Sequence, residues 1–455
     1  MKYEKVIVKI DYIRINLLSI VLFQSTKENT DNMSGSTRHI NMDRVYGGGK
    51  KGNIWEDILK LSAENGALNL ALGFPDFAPP SHVVEALGHV TSYSNHMIHH
   101  YTRAAGHQRF CKILSKLYGR LLKQDIDPMT EVLPTIGAYD ALFTTFQSLI
   151  CPGDEVVLIE PCYEPYIELA RLAGASVKYV PLIPKDNSSS SDDWIFDLQT
   201  LQAAFSTKTK AIVVNTPMNP LGKVFNRDEL QAIADLCVKY DTLCFADEVY
   251  QWLVYGNRKH IYIATLDGMA ERTINIGSAG KTFSVTGWKT GWAVGPANLM
   301  DALQSFHHLT IRGGVSVMQE ALAIAFEKEE ELLGSEESYY RQLPNEMQNK
   351  RDQLVEYLQE AKLDPVMPGG GYFIVANISK LESGNKMEES AQEAFDVKFV
   401  KWAIVNKKFT VIPLSIFYSQ EHRHLGEKYV RICFAKTDET LRKAKEVLTK
   451  WNNSK

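Results

Sequence analysis

The spacing of apolar and polar positions changes along the chain and marks out its elements. Ile54, Trp55, Ile58, Leu59 and Leu61 share one helical face, so folding is expected to start near them. Six short apolar runs follow: Val156–Ile159, Val177–Val180, Ala211–Val214, Leu243–Ala246, Thr273–Ile276 and Trp292–Val294. Continuous runs of this kind predict strands buried on both faces. Between two of them the period becomes helical, with Leu230, Ile233, Ala234 and Cys237 as the stripe. Asn226 and Glu229 precede that stripe at capping-box spacing. Strands alternating with helices predict an α/β domain whose mostly parallel sheet is flanked by helices. The serine-rich segment Asp186–Asp193 predicts an exposed loop.

The pattern shifts after Phe326. A charged stretch, Glu327 to Glu331, leads into a helical pattern that runs through Met347 to Ala361. Strand-like Tyr372–Val375, Thr410–Ile412 and Tyr429–Phe434 come next. A final helix follows, capped at Thr437 or Asp438, with Leu441, Ala444 and Leu448 on one face. This half predicts a smaller α+β C-terminal domain. The expected division is a flexible extension over 1–45, an arm over 46–75, a large domain over 76–326 and a small domain over 327–455.

Composition narrows the class. Apolar residues make up 45% and charged residues 23% of 455, which excludes a disordered or collagen-like chain. The formal charge of −4 offers no basic excess for nucleic acid. The apolar run Ile15–Phe23 is shorter than the roughly 20 residues that span a bilayer, so no membrane partner is expected. No small-residue cleavage site follows the run, and Glu4 and Asp11 count against a mitochondrial presequence. The expected compartment is the cytoplasm, with the mitochondrion as the alternative. The six cysteines (Cys111, Cys151, Cys162, Cys237, Cys244 and Cys433) include no CxxC pair, so free, mostly buried thiols and no metal site are expected.

In open α/β sheets ligands bind at the carboxyl ends of strands. Three such ends carry unusual chemistry here: Asn215-Thr216-Pro217-Met218-Asn219-Pro220, Asp247-Glu248-Val249-Tyr250, and Ser278-Ala279-Gly280-Lys281, with Lys289 further on. Taken singly, each has a bland explanation: a helix cap for Asp247, a turn for Asn219, a solvated amine for Lys281. A phosphate-binding P-loop is a poor match, because it needs glycine where this chain has Asn275. Taken together, an amide, a carboxylate, a phenol and a lysine at one sheet edge meet the needs of an electron-sink pyridine. Such a cofactor needs a pKa-lowered amine for covalent attachment, a carboxylate at its ring nitrogen, and donors to its phenolic oxygen. Its phosphate needs N–H groups at a helix start.

The order of these motifs, with Gly287-Trp288-Lys289 and a late strand arginine, resembles the fold-type I pyridoxal-phosphate aminotransferases over about residues 50–452. Leu72-Gly73-Phe74-Pro75-Asp76-Phe77, Asp247 to Trp252 and Ser278 to Trp288 together resemble the kynurenine aminotransferase/cysteine-S-conjugate β-lyase (glutamine transaminase K) group. That resemblance implies pyridoxal 5′-phosphate held by Lys281, with Asp247 at its ring nitrogen and Asn219 and Tyr250 at its phenolic oxygen. It implies Tyr163 stacked on the ring, and Gly137, Ala138, Tyr139, Ser278 and Lys289 around the phosphate. Arg431 would grip the substrate carboxylate as a bidentate fork. Trp55, Gly73, Tyr101, Asn219 and Phe373 would line the substrate pocket, with Tyr101 coming from the second subunit of a homodimer. Amino acids and 2-oxo acids are the implied substrates, and Lys281, Asp247 and Tyr250 the catalytic residues. A lyase or synthase on the same fold is the alternative. Two departures stand out: Met218 where Asn or Thr is usual, and Arg312-Gly313-Gly314 where related enzymes carry an aromatic and a histidine.

Overall fold

A computed structural model describes residues 54–186, 188–381 and 393–453. The expected extension over 1–45 lies outside the described residues. Seven strands build the main sheet: β1 (Val132–Thr135), β2 (Glu155–Glu160), β3 (Ser176–Pro181), β4 (Thr209–Asn215), β5 (Leu243–Asp247), β6 (Thr273–Ser278) and β7 (Gly291–Val294). Their order is β1-β7-β6-β5-β4-β2-β3. Only β7 is antiparallel to its neighbours. The continuous apolar runs have a direct cause. Val157, Ile159, Ile212 and Val214 enter the core on one face of the sheet. The intervening Val156, Leu158, Ala211 and Val213 enter a second core on the other.

The helix Arg227–Tyr240 carries the expected capping box, since Asn226 and Glu229 bond each other's backbone N–H. A four-stranded antiparallel sheet follows, made of β8 (Asp364–Val366), β9 (Phe373–Asn377), β10 (Ile412–Pro413) and β11 (Tyr429–Cys433), in the order β8-β9-β11-β10. The final helix, Asp438–Asn453, is entered through Thr437, whose hydroxyl accepts from Thr440 N. No described helix is long and apolar enough to cross a membrane. The cysteines are unpaired, and all but Cys151 are buried.

Two differences from the sequence reading have physical causes. Strand β1 has no strong signal, because Pro134 interrupts it; it is tolerated at the sheet edge. The segment Asp186–Asp193 is not simply an exposed loop. Ser191 is buried, its N–H donates to Met367 O, and its hydroxyl accepts from Gly369 N. The helix Ser316–Glu331 runs through residues 326 and 327.

Candidate active site

Register brings the strand ends together. Asn215 is level with Asp247 across β4 and β5, and Asp247 with Ile276 across β5 and β6. Ser278 faces Gly291, which faces Thr135 at the end of β1. Two residues past Thr135, a helix starts over Gly137–Leu149. These ends open on a cavity of about 400 Å³. Every residue expected in the site lines it except Tyr101. Tyr101 is 98% exposed and stands off this chain's cavity.

Lys281 sits in a short helix after β6. Its Nζ donates to Gly73 O at 2.8 Å and lies 5.5 Å and 5.3 Å from the ring centres of Tyr250 and Tyr372. Burial lowers its pKa to about 8, and the nearby charges of Arg431 and Lys436 act in the same direction. Asp247 is buried at the end of β5. Its Oδ2 accepts from the Tyr166 hydroxyl at 2.5 Å. Burial raises its pKa to about 6, against the opposing pull of that hydrogen bond. Neither group has an ion-pair partner among the described residues.

Arg431 lies on the face of β11 opposite Val430 and Ile432, as the alternation predicts. That face is not solvent: the side chain is 3% exposed. The guanidinium packs 4.0 Å from the Phe373 ring centre, 4.9 Å from Phe417 and 5.3 Å from Trp55. Nη1 donates to Asn219 Oδ1 at 2.8 Å and Nη2 to Ala71 O at 2.9 Å. Nε is buried without a partner. Burial lowers its pKa to about 10, which leaves it charged at neutral pH. Trp55 donates to the half-buried carboxylate of Glu164 at 2.6 Å, which fixes that wall.

The residues fit the cofactor that the sequence implies. Gly137 has a positive φ of +79°, and a Cβ placed there would meet Lys289 Cε and Nζ at 3.6 Å. A lysine ammonium therefore stands over the N-terminus of the Gly137–Leu149 helix, where the first N–H groups have no intrahelical partner. Ser278 lies beside it across β7. A buried carboxylate and a half-buried amine, neither with a counter-ion among the described residues, suit a protonated ring nitrogen and an aldehyde.

Sequence reasoning missed Tyr166, Asn215 and Phe417. Asn215 Nδ2 donates to Asp247 O, and its Oδ1 accepts from Asn219 N, so it ties two of the strand ends together. Its place in the motif Asn215-Thr216-Pro217 was the available signal. Met218 is buried, where its apolar side chain costs nothing.

The profile of the family "Aminotransferase class I and II" matches residues 65–448. This chain is 47% identical over 423 residues to human kynurenine--oxoglutarate transaminase 3, covering 92% of each. It is 44% identical to human kynurenine--oxoglutarate transaminase 1, covering 88% of this chain and 96% of the relative. The crystal structure of Bna3p from Saccharomyces cerevisiae superposes with a TM-score of 0.83 at 28% identity, over 89% of this chain and 97% of that one. The chain belongs to the class I and II aminotransferases, with the type I fold that the motif order implied.

Proposed function

We propose that this chain is a pyridoxal 5′-phosphate-dependent aminotransferase moving the amino group of kynurenine, glutamine, or aromatic and sulfur amino acids to a 2-oxo acid. The observation that carries this reading is one cavity lined by Lys281, Asp247 and Arg431, all buried or half-buried and none paired with an opposite charge among the described residues. The relatives' names supply the donor class. The walls agree with it: Trp55, Tyr163, Phe373 and Phe417 suit an aromatic or apolar side chain.

The bound cofactor would supply a ring that accepts the electron pair left when the amino acid's Cα–H bond breaks. The chain's residues do the rest. Lys281 carries the proton away from Cα, and a pKa near neutrality suits that task. Asp247 would hold the ring nitrogen protonated, and Tyr166 orients its carboxylate. Asn219 and Tyr250 would bond the phenolic oxygen, and Tyr163 would stack on the ring. Gly137, Ala138 and Tyr139 N–H groups, Ser278 and Lys289 would hold the phosphate. Arg431 takes the α-carboxylate, exchanging its bond to Ala71 O or Asn219 for a charge-assisted pair.

A panel of amino acids assayed with pyruvate and with 2-oxoglutarate tests this reading. Activity with kynurenine, glutamine and phenylalanine that needs the oxo acid for repeated turnover supports it; repeated turnover without an acceptor points to a lyase. Arg431→Gln should raise KM for every amino donor alike, by roughly 10- to 100-fold, the size of a lost charged hydrogen-bond pair. An effect confined to one donor would remove Arg431 from the carboxylate site.

The same reading makes the enzyme a homodimer. Tyr101 and Arg312 lie on exposed loops that touch, since Ser316 Oγ donates to His100 O and Gly313 packs near Arg103 O. Apart from Arg431, the cations in this chain's cavity are Lys281 and Lys289, both assigned to the cofactor. Arg312 reaching a neighbouring subunit's cavity would serve the distal carboxylate of 2-oxoglutarate. Arg312→Ala should then lower kcat/KM for 2-oxoglutarate and spare an apolar 2-oxo acid. Equal changes for both would rule out a selective role.

A further inference from the structure

Four successive main-chain carbonyls, Ala71 to Phe74, each accept from a cationic side chain, two of them from the site and two from Lys436 beside it. Arg431 Nη2 donates to Ala71 O at 2.9 Å and Lys281 Nζ to Gly73 O at 2.8 Å. Lys436 Nζ spans the pair between and beyond them, donating to Leu72 O at 3.1 Å and Phe74 O at 2.8 Å. Lys436 is 3% exposed, and its ammonium lies 4.7 Å from the Phe74 ring centre. Among the described residues no carboxylate pairs with it.

A buried ammonium is costly unless its protons find acceptors. An apolar side chain of the same length would fill this space without that cost. The position therefore makes sense through what the ammonium holds. The segment it holds has little slack. At one end Leu70 is fixed by Cys433 N to its carbonyl (2.8 Å) and by its own N–H to Thr410 O (2.9 Å). In the middle, Gly73 lies so close to Phe373 that a Cβ would fall 2.4 Å from the ring's Cζ. The far end is held by Lys436.

We propose that Lys436 is a positioning residue, whose ammonium pins the Leu72–Phe74 strap so that the Gly73 carbonyl stands as the acceptor for the free amine of Lys281. This deepens the proposed function and rests on Lys281 being its reactive amine. An amine on a flexible four-carbon stem has many rotamers; a fixed acceptor selects the one in which it faces the cavity. The same strap sets Ala71 O against Arg431, so its position bears on both ends of the substrate's α-amino acid group.

Lys436→Met tests this, because it keeps the stem and removes the donors. Hydrogen exchange at the amides of residues 71–74, read in both the holoenzyme and the cofactor-free protein, should quicken by about tenfold or more. kcat/KM should fall roughly 10- to 100-fold for kynurenine and phenylalanine alike. Lys436→Arg, which can also donate to two carbonyls, should return both readouts toward the wild type. Unchanged exchange over 71–74 in a folded Lys436→Met protein overturns the proposal, whatever its activity. Should that variant not fold, a folded Lys436→Arg protein with a loosened 71–74 segment overturns it instead. The cofactor-free exchange reads the pinning of the strap alone, whereas the amino-acid panel reads the aminotransferase function, so a failure of one is distinguishable from a failure of the other.

Discussion

Lys281→Ala is expected to bind pyridoxal 5′-phosphate only non-covalently and to lose turnover by more than the ~10²–10⁴ that one acid–base group contributes. The loss exceeds that range because the same amine both attaches the cofactor and moves the proton. Folding should survive, since the side chain gives up one hydrogen bond, to Gly73 O. Borohydride reduction of the wild type should fix the cofactor on the peptide that carries Lys281, and on no other. The pH dependence follows from the lowered pKa. Only the unprotonated amine is nucleophilic, and burial brings its midpoint down to about 8 from an ordinary 10.5. Covalent uptake of cofactor by stripped protein should therefore rise with pH and level off above 8. A rise that continues toward 10.5 would show the amine to be unperturbed.

Asp247→Asn should bind cofactor and lose rate by about 10²- to 10³-fold or more, the scale of losing a preorganised electrostatic group. The substitution nearly preserves shape, and the Tyr166 hydroxyl keeps an acceptor. What it removes is the anion that keeps the ring nitrogen charged. Burial raises the pKa of Asp247 to about 6, so it takes up a proton as pH falls through that value. Cofactor affinity in the wild type should accordingly weaken below pH 6 and hold steady above it. Asp247→Asn should be weaker throughout and lack this step. Near-normal activity in that variant would remove Asp247 from the ring nitrogen.

Much of this site was legible because its chemistry sits on strand ends. A run such as Leu243–Ala246 followed by Asp247 places a carboxylate at a sheet edge with little ambiguity. Where a side chain's partners come from distant segments, the sequence is silent. Arg431 alternates with Val430 and Ile432, which gives its face. That this face is itself buried depends on Phe373, Phe417 and Trp55, which arrive from three other parts of the chain. Tyr166 occupies a helical stripe, Pro165–Leu172, and looks there like any core aromatic. Its hydroxyl on Asp247 is a fact of packing. The strap at residues 71–74 could not be read at all, since carbonyl oxygens carry no residue identity. Ser191 was misread because a serine run signals exposure by composition, while its burial against Met367 is set by the fold.

The proposed function requires that the amino group stay with the enzyme between two half-reactions. It is tested most directly by mixing purified holoenzyme with kynurenine or phenylalanine and no 2-oxo acid, and counting the oxo acid released per active site. A single equivalent is expected, then arrest, with turnover resuming when 2-oxoglutarate or pyruvate is added. Continued release of product and ammonia without an acceptor would contradict it.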